Sequence, residues 1–172
     1  MLGFLSFEPS LRIIVNESII KITRIYIIMS KSNLNEEYLI KSLDNENNVG
    51  IENLSTRKIK SIKNDYLQQL QLSRDDLKNY HTKLKEYRFV DDLTNIQYGR
   101  YIRWISLKNP EKLCLTTGGV IIDIQLLEDG IYILCKNFRN KRMKIKIDEC
   151  FIFQKLTDQE KTIIAALDYL EK

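Results

Sequence analysis

Six cations stand within eleven residues of this chain with no acid among them: Lys136, Arg139, Lys141, Arg142, Lys144 and Lys146. Asn137 and Phe138 lie inside the same run. In extended backbone successive side chains point to opposite faces, so Arg142, Lys144 and Lys146 share one face and Met143, Ile145 and Ile147 the other. Three cations in a row above an apolar inner face make a ridge that can contact phosphates, and Phe138 or Tyr132 can stack on an unpaired base. The same row has a plainer reading, since lysines on an edge strand also block pairing with another chain. The sequence leaves both open. A second dense patch is Gly99-Arg100-Tyr101-Ile102-Arg103-Trp104-Ile105. Its alternation sets Arg100, Ile102 and Trp104 against Tyr101, Arg103 and Ile105, and cation–π pairing inside the protein explains it as well as ligand binding does.

Groups suited to bond-breaking are poorly placed. His81 is the only histidine, and as a base it would need a nucleophile or substrate held nearby, yet it falls inside a helical segment between Tyr80 and Thr82, far in sequence from the strand-rich region. Asp91-Asp92 follows that segment and Glu128-Asp129 sits in a tight turn, where short acidic side chains stabilise the turn backbone. Asp123 lies in mid-strand and ordinarily would point outward. Thr116-Thr117-Gly118-Gly119 lacks the Gly-Lys-Ser/Thr and following helix of a phosphate-binding loop, so a glycine-rich hairpin turn is expected there. Cys114, Cys135 and Cys150 are odd in number and form no CxxC pair, which points to reduced buried thiols rather than a zinc or redox site. We expect no catalytic residue, no metal and no cofactor.

The ridge needs a sheet to hold it. Tyr98–Leu107, Leu113–Thr117, Val120–Leu127, Ile131–Phe138, Arg142–Ile147 and Cys150–Phe153 are strand-like runs separated by turn signals, a spacing that predicts a small closed or nearly closed antiparallel barrel. Thr56–Val90 reads as helix. Leu70, Leu77 and Leu84 repeat every seven residues, and Ile59, Tyr66, Ser73, Tyr80 and Tyr87 form a second row, with Lys63 and Ser73 as flaws. Tyr66, Leu70, Leu77, Tyr80 and Leu84 are therefore candidate oligomerisation residues. Either one long helix pairs with another chain, or a hairpin breaks at Ser73-Arg74-Asp75-Asp76, where Ser73 and the two acids resemble an N-cap and first turn. Thr157-Asp158-Gln159-Glu160 is a capping box that opens a final helix with Ile163, Ile164, Leu167 and Leu170 on its apolar face.

The N-terminal part is less regular. Asn33–Leu43 suggests a short helix, and Asp44–Gly50 reads as a mobile loop. Residues 1–28 contain no run of the 18 or so apolar residues that a membrane span needs, and they make a poor signal peptide. Two readings of them stand side by side: upstream read-through before a start at Met29, or an edge strand or docking segment built from Ile19–Ile28. The segments expected are 1–56, partly flexible; 57–96, a long helix or helical hairpin; and 97–172, a small barrel with its helix.

With 172 residues, 44% hydrophobic and 29% charged, the chain has the composition of a soluble globular protein. Its net charge of +4 is unevenly spread: by count, residues 1–56 carry −2, 57–96 carry +3, 97–156 carry +5 and the last sixteen −2. The excess permits an acidic partner but falls short of a strongly basic tail.

The blocks Gly99–Trp104, Leu115–Gly119 and Ile152–Thr157 resemble small uncharacterised proteins of the nucleocytoplasmic large DNA (giant) viruses. The resemblance covers about the C-terminal half, implies no catalytic residues, and fits an intracellular setting in host cytoplasm or virion. In outline the barrel pattern is similar to Sm-like and SH3-like barrels, although Asp129–Lys136 lacks the Asp and Met-Asn of the Sm signature. The expectation is an α+β fold: a small antiparallel β-barrel, SH3/Sm-like in outline, with a long N-terminal helix or helical hairpin and a C-terminal capping helix. Its expected role is a non-enzymatic interaction module, a viral assembly or virion-associated protein. The helix would serve self-association and the barrel a protein partner, with no membrane. The alternative is nucleic-acid binding through Lys136, Phe138, Arg139, Lys141, Arg142, Lys144 and Lys146.

Overall fold

A computed structural model of the chain describes residues 23, 36–51 and 53–170. The alternative readings of 1–28 and the start at Met29 lie, Thr23 apart, outside the described residues. Among the described residues the fold is α+β, with four α-helices and one six-stranded antiparallel sheet. None of those helices is long and apolar enough to cross a membrane.

The helical segment is a hairpin. Helix α1 (Glu36–Leu43) precedes it; α2 (Thr56–Gln69) opens on Ser55, whose hydroxyl accepts from the Lys58 N–H. Gln71 takes a left-handed φ of 50° and the chain reverses. Ser73 then caps α3 (Arg74–Lys83) by accepting from Asp76 N at 3.1 Å, with Asp75 and Asp76 in the first turn. The helical period expected to run on through Val90 stops at Lys83, and Tyr87–Val90 is strand β1. The seven-residue row does not break there, so spacing alone concealed the change.

The other strands are β2 (Tyr101–Ser106), β3 (Gly119–Leu127), β4 (Gly130–Lys136), β5 (Arg142–Lys146) and β6 (Cys150–Lys155). Their order across the sheet is β1-β6-β2-β3-β4-β5. Two expectations differ from this. Leu113–Thr117 is not a full strand; only Leu115 bridges Ile105, inside a long connection from β2 to β3. Gly118-Gly119 accordingly ends that connection rather than forming a tight hairpin. The sheet is also open, with β1 and β5 as its edges. It nevertheless curls, because every strand sends side chains to one cluster: Val90, Ile102, Trp104, Ile121, Ile133, Cys135, Ile145 and Ile152.

Two further clusters fasten the helices. On the other face of β1, β6 and β2, the α2–α3 hairpin packs Leu67, Tyr80 and Leu84 against Ile105 and Phe153. The last helix, α4 (Asp158–Leu170), packs Ile163, Ile164 and Ala166 on Leu39 of α1 and Ile59 of α2. The capping box closes as expected: Thr157 N donates to Glu160 Oε2 at 2.7 Å and Glu160 N to Thr157 Oγ1 at 3.2 Å. Asp44–Gly50 is not a loose linker. Glu46–Ile51 is a 3-10 helix in which Asn48 and Ile51 are buried.

Candidate nucleic-acid interface

The ridge lies on the outer face of β4 and β5, and the pairing register builds it. Lys136 stands opposite Arg142, Leu134 opposite Lys144 and Tyr132 opposite Lys146. Opposed residues share a face, so the column Arg142, Lys144 and Lys146 on β5 stands beside Lys136, Leu134 and Tyr132 on β4, four cations in all. Met143 and Ile145 turn inward to the core, as the alternation requires. Lys136, Arg142 and Lys144 are exposed, and Lys146 is half-buried.

The turn joining the two strands carries the rest. Asn137 Oδ1 accepts from the N–H groups of Arg139, at 2.9 Å, and Lys141, at 3.0 Å. Asn137 N donates to Lys141 O at 3.0 Å, and Asn140 takes the left-handed φ of 61° that closes the turn. One asparagine thus fixes a tip from which Phe138, Arg139 and Lys141 all project into solvent. Phe138 is 75% exposed with the Arg139 guanidinium 5.3 Å from its ring centre. An aromatic this exposed has no role in the core.

Tyr132 is less free. Lys144 Nζ lies 4.2 Å from its ring centre and its hydroxyl donates to Asp129. That bond holds the phenol pKa up at about 12 and the Asp129 carboxyl below its usual range. A base stacking on Tyr132 must displace Lys144, whereas Phe138 offers a ring at once.

The other singled-out residues lie elsewhere. Tyr66, Leu70, Leu77, Tyr80 and Leu84 face inward. Tyr66 stacks on Phe89 with ring centres 3.6 Å apart, Leu70 and Leu77 pack beside the hairpin cluster, and Leu84 is fully buried. Tyr80 donates its hydroxyl to Leu113 O at 2.8 Å and accepts from Leu115 N at 3.1 Å, which anchors the β2–β3 connection. The stripe therefore finds its apolar partner within the chain. Asp123 sits beside a β-bulge and its carboxylate accepts from Ile124 N and Gln125 Nε2, both at 2.9 Å. His81 is half-buried in the last turn of α3, its pKa lowered first by burial and then by the Lys63 charge. Among the described residues no group of three or more His, Cys, Asp or Glu is placed to hold a metal ion. Cys135 is buried and Cys150 half-buried, but Cys114 is exposed.

Sequence reasoning passed over two buried polar sites. Lys63 is a flaw in the apolar stripe only in name: its ammonium donates to Leu84 O and, at 3.0 Å, to Tyr87 O, tying the end of α3 to β1. Burial, assisted by Lys60, lowers its pKa to about 8. At one end of the main core Arg88 and Gln154 stand opposite each other on β1 and β6, both buried. Arg100 pairs there with the buried Glu160 at 3.5 Å. These come from elements far apart in sequence, and no local signal joins them.

No family model, no curated protein and no solved structure matches the chain.

Proposed function

We propose that the chain is a non-enzymatic interaction module that binds single-stranded nucleic acid on the outer face of β4 and β5. The observation that carries this is the set Lys136, Arg139, Lys141, Arg142, Lys144 and Lys146, which register and one asparagine turn gather on the outer face and tip of the β4–β5 hairpin beside the exposed Phe138, and which outnumber the nearby carboxylates of Asp123 and Asp129. Cations at this spacing neutralise successive phosphates and release their counterions, and an exposed ring accepts a base of any sequence. The strand order β6-β2-β3-β4-β5, with a 3-10 turn (Ile147–Glu149) before β6, supports reading these strands as a small SH3-like barrel left open and extended by β1. A virion-associated or other intracellular setting rests on the resemblance of the C-terminal half to giant-virus proteins alone.

Self-association through the helical stripe is the weaker reading, because the five side chains it needs pack inside one chain. The discriminating experiment is fluorescence anisotropy of a labelled oligothymidylate at low salt. Binding that weakens as salt rises supports the proposal; absence of binding to any single strand rejects it and leaves a protein partner as the ridge's ligand.

A further inference from the structure

We infer that the bound strand continues from the ridge across the sheet to a second contact, a cleft lined by Tyr87, Tyr101, Arg103, Thr117 and Lys155, where one unpaired base stacks and its phosphate is held. The inference rests on the ridge being a single-strand interface, and names the rest of its path. The cleft measures about 400 Å³.

Register connects the two places. Lys136 is opposite Arg142 on one side and Val120 on the other, and Val120 is opposite Tyr101. Tyr87 is opposite Lys155, and Lys155 and Tyr101 line the same cleft from neighbouring strands β6 and β2. Opposed positions share a face, so one solvent-side row crosses the sheet in the order Tyr87, Lys155, Tyr101, Val120, Lys136, Arg142. It holds cations and aromatics, one aliphatic and no acid. From Lys155 on β6 to Arg142 on β5 there are four strand spacings, about 19 Å. A stacked strand at about 3.4 Å per nucleotide would cover it in about six nucleotides, and a more extended strand in fewer.

The cleft is built to hold its side chains still. The Tyr101 hydroxyl donates to Thr117 O at 2.9 Å. Arg103 Nε donates to Thr116 O at 2.8 Å and Nη1 to Lys83 O at 3.3 Å. The carbonyls of Thr116 and Thr117 belong to the loop that ends at Gly118, whose φ of +94° suits glycine, and that of Lys83 to the end of α3. A Cβ at Gly118 would stand 2.8 Å from Tyr101 Cε1 and 3.0 Å from Arg103 Cγ, so the absence of a side chain lets the loop lie directly on both. Ring and guanidinium are thereby oriented before any ligand arrives, which lowers the entropy lost on binding. The nearest acid, Glu86, lies 4.0 Å from Lys155 Nζ and closer, 3.4 Å, to Lys161 Nζ. With Arg103 added, cations outnumber it. The cleft therefore suits an anion carrying a flat ring, which is the chemistry of a nucleotide.

The test compares labelled oligothymidylates of about three and about ten nucleotides, the shorter able to occupy the ridge alone and the longer the whole path. Lys155→Glu changes a half-exposed side chain and should weaken the longer oligonucleotide about tenfold while leaving the shorter unchanged. Tyr101→Leu should do the same, and Tyr101→Phe, which keeps the ring, should bind within about twofold of the native chain. Thermal melts check that each variant folds. Unchanged affinity of the longer oligonucleotide in Lys155→Glu, or equal losses in the Phe and Leu variants, overturns the path while the ridge stands. If neither oligonucleotide binds the native chain at low salt, the ridge reading fails and the path with it.

Discussion

The two halves of the sheet make the same hydrogen-bonded ladder but meet different surroundings. Strands β1, β6 and β2 are covered on both faces over most of their length, by the common core on one side and by the α2–α3 hairpin on the other, and their outer face opens only at the cleft around Tyr101 and Lys155. Strands β3, β4 and β5 share that core but turn their other face to solvent. Their sequences record the difference. Cys150–Phe153 of β6 is an unbroken apolar run, whereas Arg142–Lys146 of β5 alternates cation and aliphatic. A strand buried on both faces has few positions to spare for charge; a strand wet on one face has every second position free. Most of the surface available to a ligand is thus on the β3–β5 half, with the cleft at Tyr101 and Lys155 as its extension, and the covered half is where substitutions should cost most.

The largest effect expected is at Phe153, fully buried between the sheet and the helical hairpin. Phe153→Ala should lower stability by about 3–5 kcal/mol, measured by urea unfolding. Lys144→Ala on the wet face should change it by less than about 0.5 kcal/mol. Similar costs at the two positions would erase the contrast between the halves.

Lys63 sharpens the contrast through pH. Its pKa is about 8 in the folded chain against 10.5 for the free side chain, so between those values the folded state holds fewer protons than the unfolded one. Stability should then rise with pH across that window, by at most about 3 kcal/mol, as the cost of burying the ammonium is relieved. The thiols of buried Cys135 and half-buried Cys150, raised to about 12 and about 11, act in the opposite sense above pH 9. The measurement is therefore the difference between the native chain and Lys63→Met, whose stabilities should diverge in favour of the native chain as pH increases from about 8. A constant difference would mean that Lys63 is not buried as a charge.

Tyr80 should show a smaller effect. Tyr80→Phe leaves Leu113 O and Leu115 N without the hydroxyl that bridges them. The expected loss is about 1–2 kcal/mol, with the molar mass in light scattering unchanged, because the stripe packs within one chain. A change of mass instead would restore the stripe as an interface.

Much of this arrangement was legible in the residues. Alternation and turn chemistry located β2 to β6, and the inward Met143 and Ile145 beneath Arg142 and Lys144 followed from the two-residue period alone. Ser73 with two following acids offered the hairpin as one of two readings, beside a single long helix, and Thr157 with Glu160 marked α4. What stayed hidden depended on long-range pairing. Tyr87–Val90 continues a helical repeat and becomes a strand because β6 offers it a partner. Lys63 looked like a defect because its ligands, two main-chain carbonyls, lie more than twenty residues away. The row that joins Tyr87, Lys155 and Tyr101 to the ridge exists only once the register of all six strands is known, although Tyr101 and Arg103 stand in one dense patch of the sequence.

The most direct test of the account is the salt dependence of single-strand binding in the native chain and in Arg142→Gln/Lys144→Gln. Both side chains are exposed and off the core, so folding should be unaffected. Plotted as log affinity against log salt, the native chain should give a steep negative slope, and the double variant should bind more weakly with a slope flatter by about 1.4, from about 0.7 per lost phosphate contact. A double variant with native affinity and an unchanged slope would contradict the ridge as the binding face.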